Sequence, residues 1–316
     1  MIKSIVFPGQ GSQKVGMGKD FFDNFQAAKD IFQNVDDSLS QNLSTLIFNG
    51  PLDELTLTEN AQPAIMAVSI AILEVLKKEF GFDIKKANFC AGHSLGEYTA
   101  LAATNSLSLR EVAMLLKKRG KSMQNALPYG EGAMAALIGL KINEVKQLIA
   151  ELPHNLVCEI ANYNSINQIV ISGDTTAIDL IIENAKEKKF KAIKLLVSAP
   201  FHCKYMLNTA NQLKTSFDQL TFQSPIIPII LNFSAKPFID IEDLKNSLIS
   251  QTYSTVRWYE SISYMIEKGT NLFLEIGNGN TLSNMLKRMK FVNEFNVISL
   301  SSMKEIEKFM RDSYES

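Results

Sequence analysis

The chain has 316 residues, 46% of them hydrophobic and 21% charged, an ordinary globular composition that excludes disordered, collagen-like and coiled-coil proteins. This length predicts one or two domains, with a core large enough to need no metal or disulfide for stability. Lysine plus arginine number 32 and aspartate plus glutamate 33, which gives a net charge of −1, so we expect no nucleic-acid partner.

Cysteine content and apolar segments indicate the compartment. Cys90, Cys158 and Cys203 are odd in number and widely spaced, which argues against a disulfide framework or a metal site. The first residues lack the apolar segment and cleavage site of a signal peptide. The most apolar stretch, 64–73, is roughly half as long as a membrane span. We therefore expect a cytoplasmic protein that does not enter a membrane.

Over the first 123 residues, hydrophobic periodicity predicts strands that alternate with helices. A glycine-rich loop follows the first strand, and Pro63 is expected to open the first long helix. The predicted elements are a strand over 2–7, a helix over 61–78, a strand over 88–92, and helices over 95–103 and 109–123.

The middle of the chain has the order strand, helix, strand, strand, helix, strand, which is typical of a ferredoxin-like unit. We therefore predict a large α/β domain with a mostly parallel sheet, residues 1–126 and 198–316, and an inserted small ferredoxin-like domain, residues 127–197. The elements of the small domain are a strand over 132–140, a helix over 143–152, strands over 156–162 and 168–172, a helix over 176–189 and a strand over 192–197.

Residues 92–96 fit the pattern G-x-S-x-G of a nucleophile elbow, in which a strand turns sharply into a helix and exposes a serine. The flanking residues must be small because the turn is tight. The helix N-terminus and the amide after Ser94 can stabilise an oxyanion. The alternative is an ordinary capping box, since Ser94 and Glu97 also fit S-x-x-E. The preceding strand and the two glycines favour the elbow.

A serine nucleophile needs a base, and the chain has three histidines. His93 adjoins the serine, but its side chain should leave the elbow in another direction. His154 follows a proline on a predicted surface turn. His202 follows a predicted strand, in the kind of loop where open sheets carry catalytic groups. His202 is therefore the expected base, with a core or capping histidine as the alternative.

Arg119 belongs to a basic run, 117–121, at the end of a predicted helix. For the lysines of this run we expect a solvated face that complements the helix dipole. If Arg119 faces the pocket instead, its planar guanidinium can hold a carboxylate through two hydrogen bonds.

Five motifs are spread over nearly the whole chain. They are FPGQGSQ at 7–13, GHSLGEY at 92–98, RGKSMQ at 119–124, ANYNS at 161–165 and HC at 202–203. Together they resemble the motifs of the malonyl-CoA:acyl-carrier-protein transacylases of type II fatty acid synthesis, and Gln251 and Trp258 follow at family-like positions. The resemblance implies a hydrolase-like α/β core with an inserted ferredoxin-like subdomain.

The resemblance implies a ping-pong acyl transfer through a malonyl-serine intermediate, which supplies fatty acid biosynthesis. Ser94 would attack malonyl-CoA with His202 as base, and the phosphopantetheine thiol of acyl carrier protein would then take the malonyl group. No metal or cofactor is expected, since malonyl-CoA and the carrier protein are substrates. The oligomeric state stays open, with a monomer as one option.

The resemblance also implies which residues support the reaction. The amides of Gln10 and Leu95 would form an oxyanion hole, and the Gln251 carbonyl would orient His202. The implied substrate-binding residues are Arg119, Gln251, Asn162, Phe201 and His93.

The chain departs from the family pattern at two places. Asn278 stands between Gly277 and Gly279 where the family often has Gly-Pro-Gly, and asparagine tolerates turn conformations. Phe201 stands where bacterial members often have serine, which resembles malonyl-selective transferase domains of larger synthases. We expect Phe201 to guard the space beside the substrate α-carbon, with a plain core role as the alternative.

An acidic carrier protein would need a local basic patch, because the chain is nearly neutral overall. Lys189 lies at the end of the second helix of the predicted small domain, and Lys287 and Arg288 lie near the end of a late helix. These three residues are the docking candidates. For each of them, a solvated helix end that complements the dipole is the alternative.

Two other functions compete with acyl transfer. A serine esterase of the α/β-hydrolase class would carry its histidine near the C-terminus, whereas more than a hundred residues follow His202 here. Arg119 would also be surplus in a simple esterase. A non-catalytic module that binds carrier protein would leave Ser94, His202 and Arg119 unexplained.

Overall fold

The structure is a computed structural model that describes residues 2–188, 190–197 and 199–314. Two sheets and the helices around them make up these residues. The strands are β1 (Lys3–Phe7), β2 (Ala87–Gly92), β3 (Gly132–Ile138), β4 (Cys158–Ser165), β5 (Gln168–Asp174), β6 (Lys191–Lys194), β7 (Ile229–Ile230), β8 (Leu272–Ile276) and β9 (Asn296–Leu300). The helices are α1 (Lys19–Asn24), α2 (Gln26–Leu39), α3 (Leu43–Asn49), α4 (Leu52–Thr56), α5 (Thr58–Phe80), α6 (Leu95–Ala103), α7 (Leu109–Gln124), α8 (Ile142–Ala150), α9 (Thr175–Lys188), α10 (Leu207–Phe217), α11 (Ile241–Tyr253), α12 (Trp258–Glu267), α13 (Thr281–Lys287) and α14 (Met303–Tyr314).

The first sheet is parallel throughout and has the strand order β7-β2-β1-β8-β9. Side chains of its central strand β1 alternate between the two faces. Ile5 and Phe7 belong to the apolar cluster around α5, whereas Val6 belongs to a second cluster with Trp258 and Phe273. Parallel sheets need apolar cover on both faces, which explains the consecutive apolar residues at 5–7 in β1.

The second sheet is antiparallel and has the strand order β4-β5-β3-β6. Its chain order β3-α8-β4-β5-α9-β6 is the ferredoxin-like pattern. Val145 of α8 and Ile178 of α9 share an apolar cluster with Leu137 and Ile171 of the sheet. The predicted α/β fold, with a mostly parallel sheet and a ferredoxin-like unit, is confirmed. The domain bounds at 127 and 197 stay predictions.

Helix α5 begins at Thr58, three residues before the predicted start, so Pro63 lies inside the helix and does not open it. The amides of Asn60 and Ala61 both donate to the carbonyl of Leu57 at 2.8 Å. The first turn is therefore complete before the proline removes a donor. Pro63 is the sixth residue of the helix, so it removes the N–H that would donate to the carbonyl of Glu59.

Strand β6 ends at Lys194, three residues before the predicted end at Val197. The amide of Leu195 still donates to the carbonyl of Met134 at 2.9 Å, but the amide of Val197 turns back to the carbonyl of Leu195 at 3.0 Å. Residues 195–197 therefore leave the sheet, and their side chains line the cleft that contains Ser94.

Helix α6 packs very closely on strands β1 and β2. A Cβ atom at Gly96 would lie 2.3 Å from the carbonyl oxygen of Phe7, and one at Gly92 would lie 1.9 Å from that of Gly96. Both distances are far inside van der Waals contact, so neither position accepts a side chain. The two glycines let the chain turn from β2 into α6 directly above the end of β1.

We expect Gly96→Ala to lower the free energy of unfolding by about 3 kcal/mol, because the new Cβ atom would push α6 away from β1. Chemical denaturation measures this change. The control is Ala102→Gly in the same helix, which should cost no more than about 1 kcal/mol through backbone entropy. A Gly96→Ala protein as stable as the control would contradict the packing argument.

Candidate active site

Ser94 lies at the turn between β2 and α6, with backbone angles of φ 53° and ψ −104° that a residue other than glycine adopts only under constraint. Asn232 braces this turn. Its Oδ1 accepts from the Ser94 amide at 2.8 Å, and its Nδ2 donates to the Gly92 carbonyl at 2.8 Å. The Ser94 side chain does not cap the helix, and its Oγ lies 2.8 Å from His202 Nε2. The capping-box alternative is therefore wrong.

His202 reaches Ser94 from the loop that precedes α10. Its Nδ1 lies 2.8 Å from the backbone oxygen of Gln251. A carbonyl oxygen only accepts, so Nδ1 carries the proton and the lone pair of Nε2 faces the Ser94 hydroxyl. Burial, together with the nearby positive charge of Arg119, lowers the pKa of His202 to about 3. The imidazole is therefore neutral near pH 7 and can accept the serine proton.

Arg119 is only 1% exposed, and its guanidinium lies against Ser94. Nη1 donates to Gln62 Oε1 at 2.8 Å, while Nη2 donates to Gln251 Oε1 at 2.9 Å and to Ser94 Oγ at 3.1 Å. The guanidinium carbon also lies 5.1 Å from the centre of the Tyr98 ring. These partners are all neutral, and a buried cation with neutral partners favours an anionic ligand.

The lysines beside Arg119 point away from the site. Lys117 donates to Asn60 Oδ1 at 2.8 Å, and the exposed Lys118 donates to Ser216 Oγ at 2.7 Å. These two hydrogen bonds connect α7 with α5 and with α10. The sequence had predicted only a solvated face for the lysines. Only the arginine of these three consecutive residues faces the site, because neighbouring positions on a helix point about 100° apart.

The two residues whose amides are expected to form an oxyanion hole, Gln10 and Leu95, line the same cavity. Leu95 is the first residue of α6, so its N–H has no acceptor within the helix and lies at the positive end of the helix dipole. Gln10 lies in the loop after β1, where its Nε2 is 3.4 Å from Thr58 Oγ1. Both residues line the same cavity as Ser94. Two amides so placed can stabilise a developing oxyanion.

A cavity of about 280 Å³ contains Ser94, with walls from strands β3 and β4 of the second sheet and from loops and helices beside the first. Phe201 lines this cavity, is 7% exposed, and belongs to an apolar cluster with Met123 and Met134. Phe201 therefore lies both on the cavity wall and in an apolar cluster, and its expected role beside the substrate α-carbon stays a prediction. Residues that line the cavity include Gln10, Gln62, His93, Leu95, Met123, Met134, Asn162, Leu196, Phe201 and His202.

His93 and Asn162 also lie on the cavity wall. His93 Nε2 lies 2.9 Å from Asn164 Oδ1, and its ring meets the Trp258 ring edge-on with 5.5 Å between centroids. Burial lowers the pKa of His93, so it is neutral as well. Asn162 is buried and forms a parallel bridge with Val256. Both substrate-binding candidates are thus held firmly beside Ser94.

Asn278, in the place of the family proline, donates from Nδ2 to the carbonyl of Ser12. This hydrogen bond ties the late glycine turn to the loop that follows β1. A Cβ atom at Gly277 would lie 2.6 Å from the Pro8 ring, so the two loops are in close contact. The turn therefore keeps its place without a proline.

The docking candidates lie apart from the cavity. Lys189 lies outside the described residues. Lys287 and Arg288 are exposed at the end of α13 and do not line the cavity. Arg288 and Lys290 border a groove of about 490 Å³ beside the β4–β5 turn, residues 165–168. Lys287 borders a different groove, at the amino ends of β8 and β9.

Sequence analysis did not find two residues that contact the reacting groups. Asn232 follows β7 at the carboxyl edge of the parallel sheet, where functional side chains gather, but a two-residue strand is too short to detect. Gln62 precedes Pro63, in a stretch that was expected to begin the helix. Its contact with Arg119 and its position on the cavity wall show that it belongs to the site.

Cys90, Cys158 and Cys203 are buried free thiols. Among residues 2–188, 190–197 and 199–314, no group of three or more His, Cys, Asp or Glu side chains could hold a metal ion. The described part of the chain also contains no helix that is long and apolar enough to cross a bilayer.

Known acyltransferases resemble this chain along almost its whole length. The profile of the acyl transferase domain family matches residues 5–303. The malonyl CoA-acyl carrier protein transacylase of Bacillus subtilis (strain 168) is 43% identical over 307 residues, which cover 96% of this chain and 95% of that protein. The protein of the same name from Haemophilus influenzae is 35% identical and covers 97% and 98% respectively.

Solved structures agree with these relatives. The acyl-carrier-protein-S-malonyltransferase of Bartonella henselae superposes with a TM-score of 0.94 at 42% identity, over 99% of both chains. A malonyl-transacylase solved in complex with a type II PKS acyl-carrier protein superposes with a TM-score of 0.94 at 32% identity, over 99% of this chain and 100% of that one. The chain therefore belongs to the acyl transferase domain family, within the malonyl CoA-acyl carrier protein transacylases.

Proposed function

We propose that this enzyme transfers the malonyl group of malonyl-CoA to the phosphopantetheine thiol of an acyl carrier protein through a malonyl ester of Ser94, and so supplies fatty acid biosynthesis. The observation that carries the proposal is the position of Ser94 Oγ, 2.8 Å from His202 Nε2 and 3.1 Å from Arg119 Nη2. A nucleophile, a base and a carboxylate-binding cation therefore meet at one atom.

In the first half-reaction, His202 Nε2 takes the Ser94 hydroxyl proton while Oγ attacks the thioester carbonyl. The carbonyl oxygen becomes an oxyanion that the amides of Gln10 and Leu95 stabilise. Collapse of this intermediate breaks the carbon–sulfur bond, and CoA leaves as a thiol with the proton from His202. In the second half-reaction the carrier-protein thiol gives its proton to His202 and attacks the ester, and Ser94 recovers its hydrogen.

Arg119 binds the free carboxylate of the malonyl group. In a malonyl-serine this carboxylate lies only two bonds beyond the ester carbonyl, so it falls within reach of a guanidinium that already touches Ser94 Oγ. The planar guanidinium can form two parallel hydrogen bonds with it. Phe201 supports this choice of substrate as an apolar wall that leaves little room for a branched α-carbon.

The remaining properties follow from the same site. Donor and acceptor are both substrates, so the reaction needs no cofactor. Ser94, His202, Arg119 and Gln251 come from one chain, which supports action as a monomer. The free buried thiols fit a reducing compartment, and we place the enzyme in the cytoplasm, away from membranes and nucleic acid.

We further propose that the carrier protein docks at the groove bordered by Arg288 and Lys290. Strand β4 connects this groove with the site, since Asn162 lines the cavity and Ile166 lines the groove. Four residues of extended strand span about 13 Å. A phosphopantetheine arm could cross that distance while an acidic protein surface rests on the two basic side chains.

We expect Ser94→Ala to form no acyl-enzyme and His202→Ala to acylate at least ~10³-fold more slowly, because the serine then lacks its base. Intact-mass measurement after mixing with malonyl-CoA monitors the adduct. The exposed histidine variant His154→Ala is the control and should react normally. Free malonate without an adduct would indicate an esterase, and no reaction of the native chain would indicate a binding module.

We expect Arg119→Ala to lower kcat/KM for malonyl-CoA by at least ~10-fold, because a hydrogen bond to a charged group contributes about 1.5–3 kcal/mol. Acetyl-CoA lacks the carboxylate and should be affected much less. Lys118→Ala, one residue earlier and exposed, should leave both substrates unchanged. Equal losses for malonyl-CoA and acetyl-CoA with Arg119→Ala would disprove carboxylate binding.

We expect the double variant Arg288→Glu/Lys290→Glu to slow transfer to the carrier protein about 10-fold through weaker electrostatic association. Acylation by malonyl-CoA should not change. The matched control is Lys85→Glu/Lys86→Glu, which reverses two exposed charges just before β2. These lysines lie at the amino end of the strand, whereas Ser94 follows its carboxyl end. If both double variants transferred the malonyl group to the carrier protein at the same rate, the carrier protein would not dock at this groove.

A further inference from the structure

Glu97 is a buried carboxylate for which the reaction above has no role. It lies on α6, three residues after Ser94, and is 0% exposed. Its Oε2 accepts from Gln251 Nε2 at 2.9 Å and from the amide of Asn232 at 3.2 Å. Burying a carboxylate is costly unless it is paired and hydrogen-bonded, and Oε1 of Glu97 has no hydrogen-bond partner in the described part of the chain. Both partners of Oε2 also contact the groups that surround the nucleophile.

The side chain of Gln251 connects Glu97 with the reacting groups. Besides its bond to Glu97, Gln251 Nε2 donates to the backbone oxygen of Ser94 at 2.9 Å. At the other end of the amide, Gln251 Oε1 accepts from Arg119 Nη2 at 2.9 Å. The backbone oxygen of the same residue accepts from His202 Nδ1 at 2.8 Å. One residue therefore contacts the nucleophile, the base and the cation.

Three groups fix the orientation of the Gln251 amide, namely Glu97, the Ser94 backbone oxygen and Arg119. An ionised carboxylate only accepts, so the NH₂ end of the amide must face Glu97. The oxygen end must then face Arg119. If the amide turned over, its NH₂ group would meet the guanidinium, and two donors would face each other in a buried site.

We propose that Glu97 is a positioning residue, whose carboxylate orients the Gln251 amide so that Gln251 holds Arg119 beside Ser94 in the geometry that receives the malonyl carboxylate. This inference rests on the proposed role of Arg119. It assigns to Glu97 an effect on the choice of substrate and not on the serine–histidine chemistry, because the carbonyl that orients His202 belongs to the backbone.

The same geometry makes substrate choice depend on pH. Burial raises the pKa of Glu97 to about 7, against the opposing effects of its hydrogen bonds and of the Arg119 charge. Below that pH the carboxyl gains a proton and can donate, so Glu97 no longer requires the NH₂ end of the amide, and only Arg119 and the Ser94 backbone oxygen hold the amide in place. The other titratable groups around Glu97 are Arg119 of α7, Tyr98 of α6, and beyond Gln251 His202, whose pKa of about 3 keeps it neutral here.

The test is Glu97→Gln, which keeps the shape of the side chain but can present a donor as well as an acceptor. The ratio of kcat/KM for malonyl-CoA to that for acetyl-CoA should fall at least ~10-fold at pH 8. In the native enzyme this ratio should rise between pH 6 and pH 8. In the variant it should stay flat across the same range.

A double-mutant cycle tests whether Glu97 acts through Gln251. Gln251→Ala removes the amide but keeps the backbone oxygen that orients His202. In this background Glu97→Gln should cause no further loss of the substrate ratio. Independent, additive losses would overturn the proposal, because Glu97 would then act by another route.

The control for loss of a buried carboxylate is Glu275→Gln. Glu275 is also 0% exposed and accepts from the amides of Leu282 and Ser283 at 2.9 and 2.7 Å, away from the cavity. It should change stability without changing the substrate ratio. If Glu97→Gln lowers both substrates equally, or leaves the ratio intact while Arg119→Ala changes it, only the role of Glu97 fails. If Arg119→Ala leaves the ratio intact, the proposed function itself fails.

Discussion

A buried guanidinium sets the conditions for the rest of the site. Arg119 is almost completely withdrawn from water, yet its hydrogen-bond partners are the neutral oxygens of Gln62, Ser94 and Gln251. A substrate carboxylate would supply the charge that these partners lack. Glu97, which interacts electrostatically with Arg119, lies behind the Gln251 amide. In the proposed reaction, the electrostatics of the pocket therefore favour a substrate that carries a carboxylate.

The same cation explains why His202 is paired with a carbonyl and not with a carboxylate. A carboxylate on His202 would place a second anion close to Arg119 and compete with the substrate for it. The backbone oxygen of Gln251 orients the imidazole and selects its tautomer without adding charge. The resulting base is weak, but a thioester is already activated. The amides at Gln10 and Leu95 can then contribute the electrostatic part of catalysis.

Local sequence patterns were sufficient for much of the fold and for the elbow. The glycines at 92 and 96 predicted the tight turn because no other residue fits there, and the strand–helix order of the middle segment predicted the second sheet. The same patterns could not assign Glu97, since S-x-x-E is also the pattern of a capping box. Only burial against Gln251 and Asn232, which lie far along the chain, gives this carboxylate its place.

The ends of helices and strands were predicted less well where contacts with distant parts of the chain determine them. Pro63 looked like a helix start, but the hydrogen bonds to Leu57 extend the helix before it. Strand β6 looked longer than it is because residues 195–197 are apolar. They are apolar because they line the cleft and not because they belong to the sheet. An apolar run by itself does not distinguish a sheet core from the wall of a substrate pocket.

The weak base also bears on how the acyl-enzyme survives until the carrier protein arrives. Hydrolysis would require His202 to activate water, whereas transfer requires it to accept a proton from a thiol. Bulk water has a pKa of about 15.7 and a cysteine-type thiol one of about 8.5, so the mismatch with a base of low pKa is far greater for water. Apolar side chains on the cavity wall, Met123, Met134 and Phe201, offer water few partners that would order it near the ester. Burial and the nearby charge of Arg119 lower the basicity of His202, and of the two nucleophiles that can attack the ester, the thiol gives up its proton to such a base more readily.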